Sequence, residues 1–135
     1  MITIVQRVLD DVSAHADEEA PRECCGVLIG RPDVILESAR ALNLADGTTR
    51  FLLDPRDHIR AMRESRARQM DVVGFYHSHP RSPAYPSRTD VAESGYAGAL
   101  HLIAGEGDSG REMRLFVIDG ASVEECQFQI VSGSV

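Results

Sequence analysis

The chain reads as a single α/β domain built on a mixed β-sheet flanked by helices, and three observations predict it. Its 135 residues suit one domain, since domains commonly run ~100–150 residues. Hydrophobic residues make up 43% and charged residues 26%, enough apolar side chain to form a core and too much for a disordered chain. Short strand-like apolar runs are interspersed with three helical stretches, with no repeat and no internal linker, which is the pattern of a sheet covered by helices.

Ile2 and Ile4 alternate with polar neighbours as a strand does, and Val5, Val8, Leu9, Val12 and Ala16 then recur on one face of a helix expected over residues 5–19. Pro21 ends that helix. Residues 24–29 form an apolar run closed by Gly30, too short for a helix and suited to a buried strand, and residues 34–44 continue the sheet. Asp46-Gly47 signals a turn toward Phe51-Leu52-Leu53, so a hairpin or meander is expected there. Asp54-Pro55 starts a second helix, with a capping carboxylate followed by proline at the first helical position; Ile59, Met62, Arg66 and Met70 mark its predicted inner face. Arg56, Arg60, Arg63, Arg66 and Arg68 on this helix form the basic cluster of the chain, read as a solvated face. Residues 72–76 make another strand running into His77-Ser78-His79-Pro80, and a proline-rich loop leads to a short third helix at Ser87. Residues 100–104, 113–118 and 123–131 are the last strand candidates, split at 105–110 and at Asp119-Gly120.

The composition excludes several functions. Lys and Arg total 14 against 21 Asp and Glu, a net charge of −7, the wrong sign for neutralising phosphates, so no nucleic-acid partner is expected. All the basic residues are Arg, which removes Schiff-base and P-loop lysine chemistry. Three cysteines, two of them adjacent, neither build a disulfide framework nor supply a Cys-x-x-Cys pair; a reducing cytoplasm fits, and Cys24 and Cys25 read as small buried side chains. No basic leader or ~18-residue apolar stretch appears, so no membrane association is expected. Nothing in the sequence signals an oligomeric state.

His77 and His79 stand at i and i+2 at a strand end, and since side chains alternate faces, both imidazoles project to one side and can grip one metal ion. Ser78 faces the other way. Seven residues separate His79 from Ser87, and Asp90 follows at the start of a helix, where its carboxylate can complete a two-His, one-carboxylate site with water in the fourth position, the open geometry of catalytic zinc. Ser87-x-x-Asp90 reads equally as a capping box. A shuffled chain of this composition carries the joint His-x-His-x7-Ser-x2-Asp pattern only about 0.001 times.

That gap-free pattern resembles the signature of the JAMM metallopeptidases, also called JAB or MPN-plus domains. Pro21-Arg22-Glu23-Cys24-Cys25-Gly26-Val27-Leu28-Ile29-Gly30 is similar to the family's upstream element, and Gly74-Phe75-Tyr76 precedes the first histidine as the family's strand does. The resemblance spans essentially the whole of residues 1–135 and implies one JAMM/MPN-like, cytidine-deaminase-like domain. It further implies one zinc ion per chain on His77, His79 and Asp90, with Glu23 as general base and Ser87 steadying the tetrahedral intermediate. Zinc lowers the pKa of a bound water from about 15.7 toward 7, so a glutamate can take its proton.

The short loops resemble the compact bacterial members, several of which act on ubiquitin-like sulfur-carrier proteins. The expected reaction is hydrolysis of the peptide or isopeptide bond after the C-terminal Gly-Gly of such a carrier, or of its C-terminal peptide adduct. A zinc deaminase is the rival enzyme class, but its His-x-Glu and Pro-Cys-x-x-Cys are absent. The alternative from another class is a non-catalytic, zinc-bearing MPN module that binds a ubiquitin-like partner; scaffold domains of this fold have usually lost ligands, and the intact set favours catalysis. His15 and His58 read as helix-surface residues and His101 as a strand residue of undetermined facing.

Overall fold

The structure, a computed structural model, describes residues 1–133. Its elements follow in the order β1 (Ile2–Val5), α1 (Gln6–Glu19), β2 (Cys25–Arg31), β3 (Val34–Ala41), α2 (Pro55–Ala67), β4 (Asp71–Ser78), α3 (Arg88–Glu93), β5 (Leu100–Gly107), β6 (Gly110–Asp119), β7 (Ser122–Cys126) and β8 (Phe128–Val131). The strands form one mixed sheet in the order β7-β6-β5-β4-β2-β3-β1-β8. The strand expected over 123–131 is thus two strands, which break at Gln127 and end on opposite edges of the sheet. The second pairs in parallel with β1, from Ile2↔Phe128 to Val5↔Val131. The expected partner for β3 at Phe51–Leu53 reduces to a single bridge, Asn43↔Leu53, flanked by backbone hydrogen bonds from the Leu44 N–H to the Leu52 carbonyl at 2.8 Å and from the Asp54 N–H to the Leu42 carbonyl at 3.0 Å.

Each face of the sheet has its own apolar core. On one, α1 lays Val8, Leu9, Val12 and Ala16 against Ile4, Leu28, Ile35, Tyr76, Leu102 and Leu115. The other packs Ala61 of α2 and Met70 against Val27 and Ile29, and beside them Ala84 meets Ile103 and Phe116. Alternation along β4 therefore sends Tyr76 and Ser78 toward α1, and Phe75 and His77 toward α2 and α3.

Two helical histidines depart from the expected surface placement. His15 is buried, and its Nδ1 lies 2.7 Å from the Tyr76 hydroxyl, tying α1 to the central strand. It stands seven residues after Val8, on the stripe that the apolar residues mark. His58 is buried as well, edge-on to Phe75 at 5.1 Å. The inner face of α2 runs through His58, Ala61 and Ser65, about one residue round from the predicted stripe, and leaves Ile59 46% exposed. The reason is packing against the sheet: the His58 ring stands on Phe75 and the small Ala61 sits among Val27 and Ile29, while the Ser65 hydroxyl is satisfied by the Met62 carbonyl at 3.1 Å, so small and polar groups fill the inner face. On the outer face Arg56 pairs with Asp54, Arg60 with Asp57 and Arg68 with Glu37, in keeping with a solvated helix. No helix among the described residues is long and apolar enough to cross a membrane.

Candidate metal centre

β4 lies between β2, antiparallel, and β5, parallel, and this placement assembles the site. Cys25 pairs with His77, and the Ser78 N–H donates to the Cys24 carbonyl at 3.2 Å, so the antiparallel register carries Glu23, just before β2, to a position opposite His79. Ser78 closes the junction from the far face: its Oγ accepts from the Cys24 N–H at 2.8 Å. The third segment arrives on α3. There Ser87 caps the helix by accepting the Asp90 N–H at 3.0 Å, and the Asp90 carboxylate accepts the Ser87 N–H at 2.8 Å.

The capping box and the metal-facing reading of Asp90 hold together. The oxygen that accepts from Ser87, Oδ2, also lies 3.0 Å from His77 Nε2 and 3.1 Å from His79 Nε2, while the two Nε2 atoms are 3.1 Å apart. Two ligand atoms bound to one tetrahedral zinc at ~2.0–2.1 Å lie about 3.3 Å from each other, so this triangle fits the ion. With Glu23 included, one ligand atom from each of the four residues lies within 4.8 Å of all the others.

The surroundings fix the donor set. His79 Nδ1 is 2.8 Å from the Pro83 carbonyl, which can only accept, so Nδ1 carries the proton and Nε2 presents its lone pair to the site. Phe51 stacks on the His77 ring, 4.4 Å between centroids and 24° between planes. Glu23 is 4% exposed and its Oε1 has no hydrogen-bond partner, a costly state for a buried carboxylate unless a cation or a substrate faces it. Burial drives the Glu23 carboxyl up to about 7, with His79 pulling it down and Asp90 pushing it further up. Burial also opposes charge on Asp90, but the close approach of His77 and His79, together with the Ser87 N–H, outweighs it and holds that carboxyl far below its ordinary range. His77 is lowered by burial and so favours the neutral, ligating form.

Several supporting residues carried no signal strong enough to be singled out in the sequence. Asn43 holds the loop after β3: its Oδ1 accepts from Ala45 and Leu52 N–H groups, both at 2.9 Å, and its Nδ2 donates to the Glu23 carbonyl at 2.9 Å. Arg22 donates to the Asn43 and Ala45 carbonyls from the other side. An asparagine shortly before Asp46-Gly47 was the available hint. Cys24 and Cys25 are buried, and burial raises both thiols, Cys24 to about 11 and Cys25 to about 12, so neither offers a thiolate.

The proline loop is seated by Gly105. Glu106 N–H donates to the Ser82 carbonyl at 2.9 Å, and a Cβ at Gly105 would come within 2.4 Å of the Ala84 nitrogen. Gly105→Val is therefore expected to push away the loop whose Pro83 carbonyl orients His79. It should lower stability by about 1–3 kcal/mol, the usual cost of overpacking, and weaken zinc binding with it. Thermal denaturation and zinc titration check this; unchanged values for both would show that the loop plays no part in holding His79.

A family model of prokaryotic homologs of the JAB domain matches residues 5–119. The chain belongs to this family. The JAB-domain protein is 31% identical over 132 residues to the CysO-cysteine peptidase of Mycobacterium tuberculosis, covering 93% of this chain and 88% of that one. It is 35% identical over 101 residues to the desampylase of Haloferax volcanii, covering 70% and 73%. The solution structure of a Desulfitobacterium hafniense protein matches with a TM-score of 0.89 at 28% identity, over 98% of this chain and 94% of that one. The JAMM resemblance seen in the sequence is borne out, as are the mixed α/β fold and a group placed to hold one zinc ion.

Proposed function

We propose that this JAB-domain protein is a zinc-dependent peptidase that hydrolyses the peptide or isopeptide bond after the C-terminal Gly-Gly of a ubiquitin-like sulfur-carrier protein. The observation that carries the reading is the convergence of Glu23, His77, His79 and Asp90, with a buried Glu23 oxygen left free to act. The names of the mycobacterial and haloarchaeal relatives, a CysO-cysteine peptidase and a desampylase, support the substrate class.

His77, His79 and Asp90 would hold the ion. When bound, zinc supplies Lewis acidity that makes a water easily deprotonated near neutral pH and polarises the scissile carbonyl. Glu23, facing the three ligands, takes the proton from water as it attacks and returns it to the leaving amine. Ser87 Oγ already accepts from the Asp90 N–H, so its own hydrogen is free to be donated to the developing oxyanion; such donors are typically worth about 3 kcal/mol of barrier. A cleft of about 440 Å³ opens beside these groups, lined by Glu23, Thr48, Thr49, Pro83, Tyr85 and Ser87. An extended Gly-Gly tail, which has no side chains to place, can be held there through its main chain.

The test is a ubiquitin-like sulfur carrier extended by a short peptide after Gly-Gly, incubated with the zinc-loaded protein and followed by intact mass. A single cut after Gly-Gly at one zinc per chain is expected. A tight complex with an uncut carrier would instead establish the non-catalytic module.

A further inference from the structure

The proposed chemistry turns on Glu23, yet its carboxylate is not held at the tip, since Oε1 has no hydrogen-bond partner. The side chain is therefore aimed by the backbone from which it hangs, and that backbone lies just outside the sheet. β2 begins at Cys25, which pairs with Ala41 on one side and with His77 on the other. Carried two residues further, the same two antiparallel registers put Glu23 between Asn43 and His79. At this point side chains take over from the ladder. The peptide unit that joins Glu23 to Cys24 has one acceptor and one donor. The acceptor, the Glu23 carbonyl, receives the Asn43 Nδ2 hydrogen at 2.9 Å; the donor, the Cys24 N–H, is received by Ser78 Oγ at 2.8 Å.

Both holders are themselves fixed. Asn43 Oδ1 accepts from the Ala45 and Leu52 N–H groups, so the amide can face only one way and must aim Nδ2 at Glu23. Its second Nδ2 hydrogen goes to the Arg50 carbonyl at 3.3 Å. Ser78 is 1% exposed on β4, and its own N–H donates to the Cys24 carbonyl. We propose, resting on the hydrolase reading in which Glu23 takes the proton from water, that Asn43 and Ser78 are positioning residues for that base. Together they fix the plane of the Glu23–Cys24 peptide and so hold the carboxylate where it faces His79 and Asp90. Neither belongs to the group of four that converges on the metal position, and each acts through the main chain.

Asn43→Asp and Ser78→Ala test the assignment. The aspartate keeps an oxygen for the Ala45 and Leu52 N–H groups and loses the donor to Glu23; the alanine removes the acceptor from Cys24. Both proteins are expected to bind zinc as the wild type does and to cleave a carrier-peptide fusion with kcat lowered about 10–100-fold and KM little changed, as a displacement of ~1 Å in a catalytic group costs. In a Glu23→Gln background, where no base is left to aim, each substitution should cost less than about twofold more. Amide hydrogen exchange reads the same peptide without turnover. The Cys24 N–H is expected to exchange about tenfold faster in Asn43→Asp as well as in Ser78→Ala, since one peptide plane carries both bonds. Asn43 is only half-buried, so its variant decides the matter should Ser78→Ala fail to fold. Wild-type kcat in Asn43→Asp, an equal further loss in the Glu23→Gln background, or loss of zinc overturns the positioning role and leaves the hydrolase reading standing. A wild-type protein that cuts no fusion overturns both.

Discussion

Glu23→Gln is expected to lower kcat on a carrier-peptide fusion by about 10³-fold while the protein still binds one zinc ion per chain. General base catalysis typically contributes about 10²–10⁴-fold, and an amide of the same shape cannot take the proton from water. The substitution is conservative in every other respect: it keeps the side-chain volume in a buried position and leaves the three facing ligand atoms untouched. Thermal stability should hold or rise, because a buried carboxylate oxygen without a partner is replaced by a neutral group. Zinc analysis, denaturation and turnover on one preparation separate these effects. Wild-type turnover in this variant would remove Glu23 from the chemistry.

His77→Ala should have a different signature, with zinc content falling well below one per chain and activity with it. His77 and His79 present paired nitrogens, and neither the remaining imidazole nor Asp90 keeps an ion in a two-ligand remnant. A ligand that binds only the folded state stabilises it by about 4 kcal/mol at a thousandfold excess over its dissociation constant. Chelation is therefore expected to lower the melting temperature of the wild-type protein and leave that of His77→Ala where it is. An equal response of the two proteins to chelator would mean that the ion does not sit on this histidine. Asp90→Ala should combine both kinds of loss, since the one carboxylate oxygen faces the two imidazoles, where it is proposed to hold the ion, and also accepts in the α3 cap, and losing a cap costs about 1 kcal/mol.

The parts of the site that could be read from the sequence are those whose geometry is local. His77 and His79 sit two residues apart on a strand, and Ser87 and Asp90 three apart at a helix start, so backbone periodicity alone puts each pair on one side. Glu23 could be named only through the family pattern, since what carries it to His79 is the pairing of β2 with β4, a contact between segments some fifty residues apart. The fold divides the same way. Helices with a clear apolar stripe were legible, whereas the inner face of α2 was missed because its buried positions are His58, Ala61 and Ser65, small or polar residues that give no apolar periodicity. β8 lay hidden in a longer strand candidate because nothing near Gln127 announces that the chain leaves one edge of the sheet for the other.

The dependence of Glu23 on strand pairing bears on how the chain behaves while it folds. Two histidines and a nearby aspartate are close in sequence and can meet an ion early, but Glu23, the proposed proton acceptor, joins them only after a long loop has closed, which is the slow part of building a sheet with distant partners. A nascent or partly unfolded chain would then carry the metal without the means to use it. On the proposed mechanism, hydrolysis begins only once β2 has paired with β4 and brought Glu23 opposite His79.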